Sequence, residues 1–327
     1  MKQESLVLAL DIGGTKISMA VITPRGKLLA GGVCPTHVKE GVAAVIERLC
    51  RATEEFLEQS GLERSGLAAI GIACAGGIDS ARGVVVTPSP NLPDWSDVPL
   101  ADIIGKKFGV AAFLVNDASA AALGEHRYGA GKGVKNLVLF TMGTGIGGGV
   151  IADGRLYLGA VGGAGELGHM TIEAAGPKCG CGNTGCLEML ASGRAVERDA
   201  INRLRRGEKS HLYDMTKGKI KNITAQMVGQ AARGGDPLAL DVISRAAYYL
   251  GIGMVNIVNI FNPEMVILGG GMAELGDMLL GPGRRMVEER AFSVSSRAVR
   301  ILTARLGNEA GVYGAAAYAL AQVRRSK

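Results

Sequence analysis

The sequence predicts an α/β protein of two domains with a cleft between them. Three observations favour this class. The length of 327 residues exceeds that of one compact core of the usual size. Apolar runs typical of strands alternate with amphipathic helical stretches. A pattern of strand, glycine turn and strand occurs twice, about 130 residues apart, which indicates two related halves that each present a loop to one ligand.

The first half begins with one copy of this pattern, whose turn is Asp11-Ile12-Gly13-Gly14-Thr15-Lys16. Apolar and turn residues then predict the remaining elements. In order, these are strands at 6–10 and 17–22, a turn at 24–26, a third strand from 27, a helix at 42–59, and strands at 68–73 and 111–115.

The second half repeats the pattern with the turn Thr141-Met142-Gly143-Thr144-Gly145. Its predicted elements are strands at 137–140 and 147–151, a helix at 238–261 that Asn262-Pro263 ends, a strand at 265–268, a glycine loop at 269–271 and a helix at 309–325. Because no low-complexity linker separates the halves, the sequence predicts a hinge near Asp117 rather than a tether.

Composition narrows the class of protein further. Glycine accounts for 50 of 327 residues, roughly twice the usual share, and it clusters between apolar runs, as expected where backbone approaches a ligand closely. The net charge is +6. Nine basic and four acidic residues lie between Arg194 and Lys221. With few aromatic residues and no recognisable motif nearby, we interpret this stretch as a solvated surface and expect no nucleic-acid partner.

The N-terminal residues do not resemble a signal peptide, because Glu4 interrupts the charged end and the apolar run stops at Asp11. No stretch approaches the roughly 18 uninterrupted apolar residues of a membrane span, and residues 250–268 come nearest. We therefore expect a soluble, cytoplasmic protein with no membrane partner. Its six cysteines are then thiols or metal ligands rather than disulfides.

The first glycine turn is suited to phosphate. Gly13 and Gly14 leave backbone N–H groups free to point inward, Asp11 is placed to hold Mg²⁺, and Thr15 and Lys16 are placed to contact phosphate oxygens. A tight hairpin that merely needs glycine would give the same local pattern. Two such turns and a third glycine loop favour a nucleotide.

Asn116 and Asp117 follow an apolar strand and precede an alanine-rich helix. Both are favoured helix N-cap residues, and that role alone would explain them. Beside phosphate loops, however, a carboxylate at this position is better interpreted as a base, because phosphoryl transfer to an alcohol needs a proton acceptor.

The most specific pattern is a cluster of metal ligands. It consists of His169, Cys179, Cys181 and Cys186. Three thiolates and one imidazole predict a closed, tetrahedral, structural zinc site, and the intervening glycines allow a short loop to wrap the metal. Buried cysteines with an ordinary histidine are the alternative. Cys34, Cys50 and Cys74 are scattered and are interpreted as small core residues.

Two carboxylates, Glu166 and Glu188, flank this cluster. They would suit a glycosidase acid and base, and equally the recognition of sugar hydroxyls. A hydrolase would not explain three glycine-rich loops. Asn91 lies on a proline-rich loop that either covers a small ligand or is a plain surface connection.

The motifs LALDIGGTKI, NDASAA, TMGTGIGGG, GELGHM and CGCGNTGCLE together resemble the ROK family of repressors and sugar kinases, from Leu8 to about Gly271. The resemblance implies the actin-like ATPase (ribonuclease H-like) fold, in which two domains close over ATP and sugar. Residues 1–117 and 310–327 would form a small α/β domain with the first phosphate loop and the catalytic Asp. Residues 118–309 would form a large α/β domain with the second phosphate loop, the zinc and sugar site and the adenosine loop.

The resemblance also implies roles for matching residues. Asp117 would be the catalytic base for the sugar 6-hydroxyl. Cofactor contacts would be Asp11, Gly13, Gly14, Thr15 and Lys16, then Gly143, Thr144 and Gly145, with Gly270 and Gly271 beside the adenosine. Sugar contacts would be Asn91, Asn116, Asp117, Glu166, His169 and Glu188. His169 would also bind zinc together with Cys179, Cys181 and Cys186.

Within the family, SPNLPDWSDVPL, GELGHMTI and CLEMLASGRA are most similar to bacterial glucokinases. This implies conversion of glucose to glucose 6-phosphate with ATP, Mg²⁺ and structural Zn²⁺, in a homodimer or homotetramer. Kinases for N-acetylmannosamine, N-acetylglucosamine and fructose share nearly all these motifs, and polyphosphate stays open as a second donor. A sugar-responsive repressor would need an N-terminal helix-turn-helix, for which Asp11 leaves no room.

Overall fold

A computed structural model describes residues 6–325 of the chain, so Glu4 and residues 326–327 lie outside the described part. The strands are β1 (Leu6–Ile12), β2 (Lys16–Ile22), β3 (Leu28–Pro35), β4 (Leu67–Cys74), β5 (Gly77–Asp79), β6 (Val84–Thr87), β7 (Ala112–Asn116), β8 (Leu137–Met142), β9 (Ile146–Ala152), β10 (Arg155–Leu156), β11 (Met265–Gly269) and β12 (Arg300–Thr303). The helices are α1 (Val42–Gln59), α2 (Leu100–Phe108), α3 (Asp117–Tyr128), α4 (Leu187–Ala191), α5 (Gly193–Arg205), α6 (Leu212–Met215), α7 (Ala225–Arg233), α8 (Pro237–Phe261), α9 (Asp277–Arg290), α10 (Ser293–Ala298) and α11 (Ala310–Arg325).

Two five-stranded sheets have the same plan. The first runs β3-β2-β1-β4-β7 and the second β10-β9-β8-β11-β12. In each sheet the first three strands form an antiparallel meander, and the last two run parallel to the central strand. The predicted α/β class is therefore confirmed. The predicted duplication is seen in the matching order and direction of the strands in the two sheets.

Separate apolar cores cover the faces of these sheets. Helices α1 and α2 pack with one face of the first sheet, where Leu49, Phe56 and Ile104 are buried. Helix α8 is the central core helix of the second sheet and contacts α7 and α9. Among the described residues, α8 alone is long and apolar enough to cross a membrane, and its inward side is buried in this core.

Helices α3 and α11 pack against each other between the two sheets, with α11 against β1 and β4 and α3 against β8 and β9. Their backbones approach so closely that a Cβ on Gly314 would lie 1.7 Å from the carbonyl oxygen of Ala120. A Cβ on Gly124 would lie 2.5 Å from the carbonyl oxygen of Ala310. Glycine is therefore required at both contacts. The division of the chain into two domains, 1–117 with 310–327 and 118–309, stays a prediction. Its boundary falls near Asp117, at the start of α3.

Candidate active site between the two sheets

Two carboxylates, those of Asp11 and Asp117, lie at the same edge of the first sheet. Asp11 is near the end of β1, and Asp117 directly follows β7. Because β1, β4 and β7 are parallel and in register, their carboxyl ends coincide, and this is the edge where open α/β sheets bind ligands. The parallel register therefore brings together two acids that are 106 residues apart (117 − 11).

The pKa values of both acids are raised. Burial raises the pKa of Asp11 to about 7, the charge of Asp117 adds to the effect, and Lys16 opposes it. Burial also raises the pKa of Asp117, while the backbone N–H of Ala118, which donates to its Oδ1 over 2.8 Å, opposes the rise. A carboxylate with a raised pKa is a stronger base, which suits proton acceptance.

Asn116, not Asp117, is the N-cap of α3. Its Oδ1 accepts from the backbone N–H groups of Ala118 and Ser119 at 3.0 and 3.1 Å, and its Nδ2 donates to the carbonyl of Gly76 at 3.2 Å. The capping interpretation of the sequence thus applies to Asn116. The carboxylate of Asp117 is half-buried beside this cap.

The first glycine turn is held by a neighbouring strand end. The N–H of Gly13 donates to the carbonyl of Lys16 over 3.0 Å, and the buried hydroxyl of Thr36 donates to the carbonyl of Gly13 over 2.7 Å. Thr15 and Lys16 are exposed at its tip. The turn is therefore fixed from behind and open in front, as a phosphate-binding loop requires.

The loop carrying Asn91 lies against this turn. Leu92 and Trp95 are buried and anchor the loop, while Asn91 is exposed. A Cβ on Gly14 would lie 2.9 Å from the carbonyl oxygen of Asn91. The proline-rich loop is thus part of the site region rather than a remote connection.

The second glycine turn joins β8 to β9 and borders a cavity of about 400 Å³. The carbonyl of Gly143 accepts from the N–H of Gly193, and the carbonyl of Thr144 accepts from the N–H of Arg194, so the start of α5 holds the turn. A Cβ on Gly270, whose φ is +83°, would lie 2.4 Å from the carbonyl oxygen of Met142. Side chains and glycines around the cavity include Gly143, Thr144, Glu197, Thr224, Arg233 and Gly271.

The four predicted zinc ligands converge. The ligand atoms of His169, Cys179, Cys181 and Cys186 all lie within 4.8 Å of one another. The Sγ atoms of Cys181 and Cys186 are 3.8 Å apart, and Nδ1 of His169 is 3.6 Å from Sγ of Cys179. Zinc–sulfur bonds of about 2.3 Å place tetrahedral ligands about 3.8 Å apart, so the residues fit a zinc ion.

Glu166, beside this cluster, lies close enough to Asp117 and Glu188 for their charges to act on it. Oε2 of Glu166 lies 3.9 Å from Nε2 of His169, on the opposite side of the ring from the cysteines. Partial burial raises the pKa of Glu166; His169 opposes this, and Asp117 and Glu188 add to it. These influences indicate that residues 166–188, which carry the predicted zinc ligands and are called the zinc segment below, lie close to Asp117.

Sequence reasoning missed several contacts of the site. Glu188 accepts a hydrogen bond of 2.9 Å from the N–H of Ile146, beside the second glycine turn. Gly311 leaves room for Asp11, since a Cβ there would lie 2.2 Å from Oδ2. No sequence motif marks either contact. The partner of Glu188 is a backbone N–H, the partner of Asp11 is a glycine, and both partners lie far away in the chain.

Two like-ordered sheets that present glycine turns and a carboxylate pair to one cleft define the actin-like ATPase fold. The chain belongs to the ROK family, whose family model matches residues 7–322. It is 38% identical to a glucokinase of Thermotoga maritima, over 95% of this chain and 96% of that protein.

Two further relatives place the chain within the family. A crystal structure of a ROK family glucokinase from Streptomyces griseus, in complex with glucose and AMPPNP, matches with a TM-score of 0.83 at 35% identity, over 97% of this chain and 100% of that one. A xylose repressor of Caldicellulosiruptor bescii is 31% identical, over 98% of this chain and 80% of that protein.

Proposed function

We propose that this protein transfers the γ-phosphoryl group of ATP to the 6-hydroxyl of a hexose, with glucose as the substrate, in the cytoplasm. The observation that carries the proposal is the pair of half-buried carboxylates, Asp11 and Asp117, which lie close enough to Glu166 for the charge of Asp117 to act on it. Glucokinases related over nearly the full length, one of them crystallised with glucose and AMPPNP, support the choice of sugar and donor.

In the proposed reaction the oxygen of the sugar 6-hydroxyl forms a bond to the γ-phosphorus, and Asp117 accepts the proton of that hydroxyl. The bond from that phosphorus to the β–γ bridging oxygen breaks, and ADP leaves with the electron pair. Magnesium, held through Asp11, would supply positive charge to the phosphate oxygens. The glycine turns at 13–16 and 143–145 hold the phosphates with backbone N–H groups.

The sugar and nucleotide have separate places in this proposal. The cavity beside Thr144 and Gly271 holds the adenosine, with Gly270 allowing the close backbone approach. Asn91, Asn116, Glu166, His169 and Glu188 bind sugar hydroxyls. A zinc ion held through Nδ1 of His169, which faces Cys179, would leave Nε2 for the sugar. Such an ion would brace the zinc segment.

We propose that the protein works as a homodimer or homotetramer. Phe292 and Val294 are 69% and 68% exposed, and Ile260 at the end of α8 is 68% exposed. Phe292 lies beside α8, since its N–H donates to Oδ1 of Asn259 over 2.8 Å. Exposed apolar side chains this close favour self-association. Light scattering coupled to size exclusion measures the mass, and a monomer at micromolar concentration would contradict this part.

The activity is tested by measuring ADP formation with ATP and glucose, mannose, fructose, N-acetylglucosamine or N-acetylmannosamine. We expect glucose to give the highest kcat/KM. Asp117→Asn should lower kcat by about 10² to 10⁴ with an unchanged circular dichroism spectrum. Asp102→Asn, an exposed carboxylate on α2, is the matched control and should match the wild type.

Absence of phosphorylation of every sugar would overturn the proposal, as would an undiminished Asp117→Asn variant. Repressors are among the relatives, so a shift of duplex DNA at moderate salt would favour that function instead. Release of sugar from a nitrophenyl glycoside without ATP would favour a hydrolase.

A further inference from the structure

A second cavity, of about 210 Å³, borders the zinc segment. Its walls come from that segment and from helices α4, α5 and α8. The residues that line it include none of those assigned above to sugar or nucleotide, and none of those around the cavity at the second glycine turn. A molecule held in this cavity would therefore occupy a site separate from the proposed reaction.

The lining combines an apolar base with charged and polar side chains. Val196, Val242 and Ala246 are buried and form the apolar part. The polar side chains that line the cavity are Glu173, Arg198, Asp199, Asn202, Arg245 and Tyr249. An apolar base with a few convergent polar groups is typical of small-molecule sites. Two guanidinium groups suit a phosphate, and the acids, the amide and the phenol suit hydroxyl groups.

Arg198 brings a positive charge that no carboxylate neutralises. Its Nη2 donates to the carbonyl of Met189, and within residues 6–325 its guanidinium has no ion-pair partner. The residue is half-buried on α5. A guanidinium has five N–H donors, so donors remain for a ligand after the bond to Met189. Such a group favours an anion in the cavity.

The other charged groups of the cavity make long contacts. Nη1 of Arg245 lies 3.3 Å from Oδ2 of Asp199. The hydroxyl of Tyr249 donates to Oε2 of Glu173 over 3.4 Å. Both distances exceed the roughly 2.7–2.9 Å that is usual for hydrogen bonds to charged groups. A ligand can therefore replace these contacts with shorter ones.

We propose that this cavity binds a phosphorylated hexose, whose phosphate is held first by Arg198 and second by Arg245. Inorganic phosphate carries the same anionic group, but only the sugar phosphate can also use Glu173, Asn202 and Tyr249 through its hydroxyls. The sugar phosphate should therefore bind more tightly. That this ligand is of the same class as the product of the protein rests on the proposed kinase function, whereas the anion site does not.

Two contacts connect the cavity to Glu188. The backbone N–H of Glu173 donates to the carbonyl of Gly185 over 3.3 Å. Arg198 donates to the carbonyl of Met189, the residue after Glu188. A ligand that engages Glu173 and Arg198 therefore holds the chain on both sides of Glu188. It should tighten glucose binding, because part of the ordering precedes the arrival of glucose, and glucose should tighten the ligand by the same factor.

The test measures glucose 6-phosphate binding by calorimetric titration of protein saturated with glucose and AMPPNP, so that the proposed reaction site is occupied. We expect one further site per chain, with inorganic phosphate at least about fivefold weaker. Arg198→Met keeps the apolar part of the side chain and should weaken glucose 6-phosphate at least about tenfold. Asp199→Asn frees Arg245 from its carboxylate and should tighten it about threefold, a gain that damage to the fold would not produce.

Arg205→Met is the matched control, because Arg205 is exposed on the same helix and does not line the cavity. It should bind glucose 6-phosphate as the wild type does. The coupling is measured by titrating glucose with AMPPNP present, with and without saturating inorganic phosphate, which does not compete for the sugar. We expect the Kd for glucose to fall about threefold in the wild type and to stay unchanged in Arg198→Met.

The outcomes separate the parts of the proposal. Absence of the further site, or equal binding by Arg198→Met and Arg205→Met, would overturn the anion site. Equal affinities for inorganic phosphate and glucose 6-phosphate would overturn the choice of a sugar phosphate, and an unchanged Kd for glucose would overturn the coupling. A wild type that phosphorylates no sugar would refute the proposed function, while the effects of Arg198→Met and Asp199→Asn would still decide the cavity.

Discussion

Oε2 of Glu188 accepts a hydrogen bond of 2.9 Å from the backbone N–H of Ile146. Glu188 lies two residues after the last predicted zinc ligand, Cys186, and Ile146 directly follows the second glycine turn. A single carboxylate therefore joins the predicted sugar side of the cleft to the predicted nucleotide side. This contact attaches the zinc segment to the second glycine turn.

The first prediction concerns the glycine beneath this contact. A Cβ on Gly145 would lie 2.3 Å from Oε2 of Glu188, so Gly145→Ala must displace the carboxylate. We expect KM for glucose to rise about tenfold, equivalent to about 1.4 kcal/mol of binding free energy. Steady-state kinetics at saturating ATP measure it.

Gly143→Ala is the comparison on the same turn, because a Cβ there meets no protein atom within 4 Å. It should raise KM for ATP, whose phosphates approach that backbone, and leave KM for glucose unchanged. If both variants raised KM for glucose equally, the expected difference between Gly145 and Gly143 would be wrong.

The second prediction concerns Gly311. A Cβ at this position would lie 2.2 Å from Oδ2 of Asp11, so Gly311→Ala should displace the predicted magnesium ligand. We expect the apparent affinity for Mg²⁺, measured by magnesium titration of activity at fixed ATP, to fall at least about tenfold.

Gly281→Ala, inside helix α9, is the matched control, because its Cβ would make only ordinary contacts of 3.6 Å or more. There alanine should stabilise the protein by about 0.5–1 kcal/mol, since glycine is unfavourable inside a helix. Unaltered magnesium dependence in Gly311→Ala would show that Asp11 does not hold the metal.

The third prediction concerns zinc. The purified protein should contain one zinc ion per chain, and Cys181→Ser should lose it. We expect the loss to loosen residues 166–188 and weaken glucose binding at least about tenfold, with a smaller effect on ATP. Elemental analysis and calorimetric titration with each ligand measure these effects.

Cys34→Ser is the control for the zinc prediction, because Cys34 lies outside the cluster on β3. It should keep both the metal and the glucose affinity. The hydrogen bond between Glu188 and Ile146 is the route by which loss of zinc would affect ATP affinity. Equal losses of glucose and ATP affinity in Cys181→Ser would contradict the expected order.

The fourth prediction concerns pH. The pKa of Asp11 is about 7 in the fold, raised from an ordinary value of 3.8 by burial and then by Asp117. The folded state therefore binds the proton more tightly than the unfolded chain. The contribution of Asp11 to stability is complete below about pH 4 and is lost as pH rises towards 7.

Urea unfolding without added magnesium or nucleotide, at pH 5, 6 and 7, tests this for the wild type and Asp11→Asn. Relative to the variant, the wild type should lose free energy of unfolding as pH rises, because only the wild type must bury a charge. Parallel pH curves for the two proteins would contradict the raised pKa.

Much of the fold was predictable because its signals are local. The helix predicted at 42–59 is confirmed as α1, and the long helix predicted from residue 238 begins one residue earlier, at Pro237, with Asp236 as its cap. The observed strand ends differ from the predicted ones by one or two residues, since pairing with neighbouring strands decides where a strand ends. The sequence also left open whether Asn116 or Asp117 caps α3, and hydrogen-bond geometry assigned the cap to Asn116.

The sequence by itself determined the family, the two glycine turns and the cluster of one histidine and three cysteines. Each of these is written in neighbouring residues, where spacing and residue type carry the chemistry. Only the tertiary structure decided that Asp11 meets Asp117 and Gly311, that Glu188 reaches Ile146, and that Glu125 accepts from the N–H groups of Ala130 and Arg305. These contacts use parallel register or backbone N–H groups, which every residue but proline supplies, so no residue type in the sequence marks the partner.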